Sequence, residues 1–258
     1  MFKFFVLLLF VSGVSSQATH KCSSCAKKNN ELNQITNINF ADFVKSSAVA
    51  VLPGNVLKVS YVPSSRGTNV IYASKEIPSM YKNEAMLEFE VFFDKDFEWV
   101  NGGKMHGLLS GSPKTVSTGC VSQPKNGWSF RSMWRGDGRI SLYIYDQSRL
   151  DNGQACGIGM DSTKNILTKN KWINIKMYMR LNTKSSTSDG VAKLYVDNKL
   201  ILQRNNIKFR GVDSGATIDY VTFTTFYGGH DPWWSPSKTT YASYRGAKIH
   251  KHDLHTSV

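Results

Sequence analysis

Residues 128–145 consist of two runs of alternating side chains, Trp128–Arg135 and Arg139–Tyr145, joined by Gly136-Asp137-Gly138. Alternation of this kind marks a strand with one buried face. A three-residue hairpin loop ends on a residue in the left-handed region, and Gly138 suits that position. Counting outward from the loop sets Arg135 opposite Arg139, Met133 opposite Ser141, Arg131 opposite Tyr143 and Ser129 opposite Tyr145. Paired residues share a face, so Ser129, Arg131, Tyr143 and Tyr145 form one cluster. Phe130, Trp134, Leu142 and Ile144 fall on the other face as a core set. A two-residue loop on Asp137-Gly138 would place Tyr143 opposite Ser132. Segregation of the apolar side chains selects the three-residue loop.

The rest of the chain repeats the theme. Leu87–Phe93, Trp172–Met179, Lys193–Val196, Leu200–Gln203, Tyr220–Tyr227 and Tyr241–His250 are short β-like runs, with Asp197-Asn198-Lys199 as a hairpin turn. No long segment has a period of 3.6 and no internal repeat is visible. Many short strands between Gly, Asn and Asp turns predict an all-β fold, an antiparallel β-sandwich of jelly-roll type. By analogy with other sandwiches, a concave polar cleft for a chain-like ligand is expected. With 41% hydrophobic and 20% charged residues the 258-residue chain is neither collagen-like nor disordered.

Residues 1–16 read as a secretory signal, with Lys3 before the apolar Phe4–Val11 and small residues at 14–16. That run is too short to span a bilayer, so a single secreted domain over 17–258 is expected, with no membrane partner. Residues 17–40 are polar and read as an extended arm or edge segment. In a secreted chain the four cysteines point to disulfides. Of the three pairings, Cys120–Cys156 is preferred because it ties two loops flanking the hairpin, leaving Cys22–Cys25 as a small local ring. No second Cys-x-x-Cys or His pair has zinc-ligand spacing, so no metal or cofactor is expected.

Lys and Arg outnumber Asp and Glu by 32 to 19, a net charge of +13. This favours a polyanionic partner. A nucleic acid is not expected, since no recognisable binding module is present. For the Ser129, Arg131, Tyr143 and Tyr145 cluster the plain reading is a solvated sheet face. The functional one is a site that forks a carboxylate with Arg and moves a proton with Tyr.

Three blocks add to this. They are Gly102-Gly103-Lys104-Met105-His106-Gly107-Leu108, the hairpin itself, and Gly228-Gly229-His230-Asp231-Pro232-Trp233-Trp234-Ser235-Pro236. In this order they resemble polysaccharide lyase family 14, which includes alginate lyases of marine molluscs and of an algal virus. The resemblance implies a jelly roll with a substrate cleft and β-elimination on alginate at C4–O and C5–H that leaves unsaturated uronate ends; a monomer is expected. It carries the family's lysine onto Lys104 and its serine, arginine and two tyrosines onto Ser129, Arg131, Tyr143 and Tyr145. Where the family often has Leu-Pro, this chain has Met105-His106, expected in a loop bordering the cleft. Cys120-Val121-Ser122-Gln123-Pro124 replaces a Gly-rich stretch in a second such loop.

Arg131 and Lys104 are expected to neutralise the uronate carboxylate, so that charge can delocalise as C5 loses its proton. In mannuronate C5–H and O4 lie on one side of the ring, so one group can serve as base and then acid. Tyr143 is the expected base and acid, with Tyr145 orienting substrate and Lys104 as the rival base. Lys176, Tyr178 and Arg180 alternate with Asn174 on one strand and are expected to line the same cleft. Two other classes fit parts of the sequence. Glu88 and Glu90 could serve a sandwich glycoside hydrolase, and Trp233 and Trp234 could serve a non-catalytic carbohydrate-binding domain.

Overall fold

The computed structural model describes residues 35–65, 67–111, 120, 127–151, 153, 156–211, 216–229 and 231–254. The expected leader, Cys22, Cys25 and the loop after Cys120 lie outside these residues. Fourteen strands run in chain order. They are β1 (Ile35–Asn37), β2 (Val49–Leu52), β3 (Val56–Tyr61), β4 (Ile71–Glu76), β5 (Glu84–Phe93), β6 (Gly102–Leu109) and β7 (Ser129–Arg135). Then come β8 (Ile140–Tyr145), β9 (Ile158–Asp161), β10 (Trp172–Arg180), β11 (Gly190–Val196), β12 (Lys199–Ile207), β13 (Tyr220–Tyr227) and β14 (Thr240–His250). One helical turn, α1 (Ser148–Asp151), follows β8. Among the described residues no helix is long and apolar enough to cross a membrane.

The strands form two antiparallel sheets, a β-sandwich of jelly-roll type. One has the order β12-β11-β10-β5-β14-β3-β2, with β1 added beside β14, and the other β4-β13-β6-β7-β8-β9. Alternation explains the layers. Ala85, Leu87, Phe89, Val91 and Phe93 of β5 and Ile173, Ile175, Met177 and Met179 of β10 point inward from the first sheet. They meet Phe130 and Trp134 of β7, Leu142 and Ile144 of β8, and Val221 and Phe223 of β13. Each buried Val, Leu, Ile, Phe or Met among them contributes about 1.5–3 kcal/mol by leaving water.

The hairpin register is the expected one. Ser129 pairs with Tyr145, Arg131 with Tyr143 and Met133 with Ser141. Gly138 sits at φ 77° and Asp137 beside it at φ 62°. Two expectations elsewhere need correction. Asp197 (φ 48°) and Asn198 (φ 65°) alone make the β11–β12 turn, and Lys199 already pairs with Val196. Both residues at positive φ mark the tight two-residue hairpin geometry.

Met105 and His106, expected in a loop at the cleft, lie inside β6 and are wholly buried. The His106 ring packs among Phe40, Phe89, Phe223 and Tyr244. Burial holds its pKa down to about 3, against the backbone contact with Thr224 that raises it.

Candidate active site

The second sheet buries one face in the core, and its other face carries the site. Ser129, Arg131, Tyr143 and Tyr145 reach that outer face through the paired register of β7 and β8. Lys104 joins them by a different device. In β6, Lys104 pairs with Met133 and Gly107 with Arg131, so Met105 and His106 together oppose Ser132. This β-bulge turns both Met105 and His106 inward. Lys104 and Gly107, three residues apart, therefore face the same outer side, which strict alternation forbids. Bulges of this kind re-aim side chains beside functional sites.

The Lys104 Nζ stands 4.1 Å from the centre of the Tyr143 ring and 3.2 Å from the Met133 sulfur. Burial, then the guanidinium groups of Arg131 and Arg135, hold its pKa well below the usual lysine value. The Tyr143 hydroxyl donates to the Tyr145 oxygen at 3.5 Å. Burial and that hydroxyl together raise the Tyr143 phenol above its usual value, with Arg131 opposing. The site thus sets an amine of lowered pKa beside a phenol of raised pKa.

Lys104 and Tyr143 are mostly buried but reach solvent, whereas Arg131, Ser129 and Tyr145 lie buried behind them. Arg131 donates to the Ser129 hydroxyl at 3.4 Å, and its guanidinium lies 6.0 Å from the Tyr145 ring centre. Ser129 is thus a group that holds Arg131 rather than one open to a sugar. The Cys120–Cys156 disulfide is formed. It brings the Cys120 N–H within 3.1 Å of the Tyr145 oxygen, to which it donates. The Arg149 guanidinium from α1 lies 4.9 Å from the same ring, and Arg135 pairs with Asp161 at 3.1 Å. Sequence reasoning missed Arg149, Arg135, Met133 and the edge-strand Tyr72. Of these, Met133 and Arg135 share the parity of Arg131 and were legible from it.

Lys176, Tyr178 and Arg180 do not line this site. Their parity is as expected, but β10 belongs to the first sheet, so they emerge on the opposite outer face of the sandwich. There Tyr178 donates to Glu84 at 2.9 Å and Arg180 to the Asp189 carbonyl at 3.0 Å, while Lys176 is buried. Glu88 and Glu90 share that far face and are engaged by His250 at 2.7 Å and Arg245 at 2.9 Å. Trp233 is 63% exposed, and Trp234 packs over Gly229. Among the described residues no group of three or more His, Cys, Asp or Glu side chains is placed to hold a metal.

The family model for polysaccharide lyase 14 matches residues 45–247. A curated viral protein, exolysin of Paramecium bursaria Chlorella virus 1, is 28% identical over 201 residues. The match covers 68% of this chain and 30% of the viral protein, so the chain spans under a third of that relative. Among solved structures, alginate lyase Aly36B bound to an alginate trisaccharide aligns with TM-score 0.69 at 20% identity, over 86% of this chain and 100% of that one. The PL-14 alginate lyase of Aplysia kurodai gives 0.64 at 21%, over 85% and 91%. Alginate lyase vAL-1 from Chlorella virus gives 0.64 at 24%, over 88% and 96%. At these identities the structures establish a shared fold.

Proposed function

This chain belongs to the polysaccharide lyase 14 family, and from that membership and the outer-face site we propose that it depolymerises alginate by β-elimination, with polymannuronate as the preferred substrate. One observation carries the reading: an amine held low in pKa lies 4.1 Å over a phenol held high, with a guanidinium behind both. Arg131 offsets the uronate carboxylate charge as the C5 proton leaves. Lys104 takes that proton as a neutral amine, and Tyr143 gives its own to O4 as the C4–O4 bond breaks and the C4–C5 double bond forms. The ammonium of Lys104 then returns a proton to the Tyr143 oxygen, and the site is restored without net gain or loss. This proton inventory favours Lys104 as base over the assignment of both steps to Tyr143. Both groups approach from one side, which suits the syn arrangement of C5–H and O4 in mannuronate. Relatives of this fold solved with alginate oligosaccharides bound support the substrate class.

The proposal extends to location. A leader at 1–16 followed by a disulfide-bonded domain fits a secreted protein, because such bonds persist in oxidising compartments. The test is separate incubation with polymannuronate, polyguluronate and glucuronan, following near-ultraviolet absorbance and product length. Polymannuronate is expected to give the fastest rise in unsaturated ends. Binding of a uronate chain with no such rise would mark a carbohydrate-binding domain. Shorter chains without new absorbance would mark a hydrolase.

A further inference from the structure

The row of paired residues that contains Arg131 continues beyond β6. Arg131 pairs with Gly107, Gly107 with Thr222, and Thr222 with Ser74 of the edge strand β4. Tyr72, two residues from Ser74, shares its face and pairs with Thr224. That face is the site's own, since Ile71 and Ala73 turn the other way, against the core.

The strands between β4 and β7 carry only small side chains along this row, Gly107, Thr222 and Thr224. A β-carbon at Gly107 would stand 2.7 Å from Cγ of Arg131, so the guanidinium stem lies directly over that glycine. Burial raises the Tyr72 phenol above its usual value, with a hydrogen bond to Ser74 and then the charge of Arg131 opposing. Yet Tyr72 is 39% exposed, whereas Arg131 is 4%. An edge strand thus presents an aromatic ring to solvent on the same sheet face as the buried cation of the site. The backbones of β4 and β7 are about 14 Å apart, three strand spacings.

We propose that Tyr72 is a substrate-contacting residue that holds a uronate unit adjoining the one being cleaved, on the β4 side of Lys104. This rests on the lyase reading above and names the direction in which the chain runs, across the strands rather than along them. The ring offers an apolar face to the C–H side of a pyranose and its hydroxyl a donor to a carboxylate or ring hydroxyl.

The test compares wild type, Tyr72→Ala and Tyr72→Phe on mannuronate hexasaccharide and trisaccharide. Calorimetric binding of the hexasaccharide is measured in parallel in a Tyr143→Phe background. For Tyr72→Ala, KM on the hexasaccharide is expected to rise about five-fold or more, beyond any change in kcat, as loss of one aromatic contact implies. The preference for hexasaccharide over trisaccharide falls with it. Tyr72→Phe keeps the ring and is expected to lie nearer to wild type, which a purely structural defect in the alanine variant would not explain. Unchanged KM and binding in Tyr72→Ala, with wild-type turnover present, overturns the subsite and leaves the lyase reading standing. Hexasaccharide binding weakened by Tyr72→Ala, with no unsaturated product from wild type, overturns the lyase and keeps the subsite. No uronate binding by any protein overturns both.

Discussion

Lys104 is a lysine whose surroundings oppose its charge. Burial and then two guanidinium groups depress it, and its near neighbours are a thioether and a phenol ring. In the proposed elimination, removing the amine leaves nothing to take the C5 proton, and removing the Tyr143 hydroxyl leaves nothing to protonate O4. Lys104→Ala and Tyr143→Phe are each expected to lower kcat on polymannuronate by about 10²–10⁴-fold, the usual contribution of a positioned acid or base. Formation of unsaturated product in the near ultraviolet is the measurement. The pH profile follows from the same two groups. A lysine base must be neutral, so activity rises with pH through the depressed Lys104 value. The raised Tyr143 value keeps its proton in place, so the alkaline fall comes late. If Tyr143 were the base, activity would instead climb toward strongly alkaline pH.

His106 is a second residue whose charge state is set by its surroundings, with consequences for stability rather than chemistry. The folded core holds it near a pKa of about 3, against the usual 6.5. Between these values the unfolded chain binds a proton that the folded one refuses. Stability therefore falls as pH drops below 6.5, by about 1.4 kcal/mol per pH unit, and the loss levels off near 3. His106→Leu removes the group. In urea melts at pH 7 and pH 5, the variant is expected to gain on wild type by about 2 kcal/mol between the two. A gap independent of pH would mean that the ring is not held neutral in the fold.

At the scale of elements, the site is a hairpin joined to a bulged strand. The hairpin was legible in the sequence because period-two alternation and a three-residue turn leave one register that keeps Phe130, Trp134, Leu142 and Ile144 together. Lys104 was not legible in that way. Its strand breaks the alternation at Met105 and His106, and no count from the hairpin can cross such a bulge; only resemblance brought Lys104 in. Lys176, Tyr178 and Arg180 failed for a different reason. Their common face follows from alternation, but which sheet a strand joins depends on contacts far away in the chain. The bulge also explains a constraint at Gly107, where a β-carbon would stand 2.0 Å from the Phe130 carbonyl oxygen and 2.7 Å from Arg131 Cγ. Gly107→Ala must therefore push β6 from β7 and shift the guanidinium. A loss of about 1–3 kcal/mol is expected, as for other overpacked sites. Thermal unfolding should show this, together with a fall in kcat/KM larger than that of a surface Gly→Ala change.

Across the whole molecule, charge is arranged differently on the two outer faces. On the far face several basic side chains sit on carboxylates: Arg245 on Glu90, His250 on Glu88, His252 on Glu84, Lys193 on Asp253 and Lys58 on Asp94. On the site face Arg135 pairs with Asp161, while Lys104 lies over the Tyr143 ring and Arg131 near that of Tyr145. A net charge of +13 attracts a polyanion. Screening shortens the reach of such a field to roughly 8 Å at physiological ionic strength. The value of kcat/KM on polymannuronate is therefore expected to fall as salt rises from about 0.01 M to 1 M, as the screening length shrinks, through KM more than kcat. Arg180→Gln supplies the control. It removes one positive charge, as a site-face substitution would, but from the opposite side of the sandwich, where Arg180 already bonds the Asp189 carbonyl. If position rather than total charge governs encounter, Arg180→Gln leaves both KM and its salt dependence close to wild type. A loss in KM for this variant, tracking its lost charge, would show that polymer engages the far face as well and would restore β10 to the cleft.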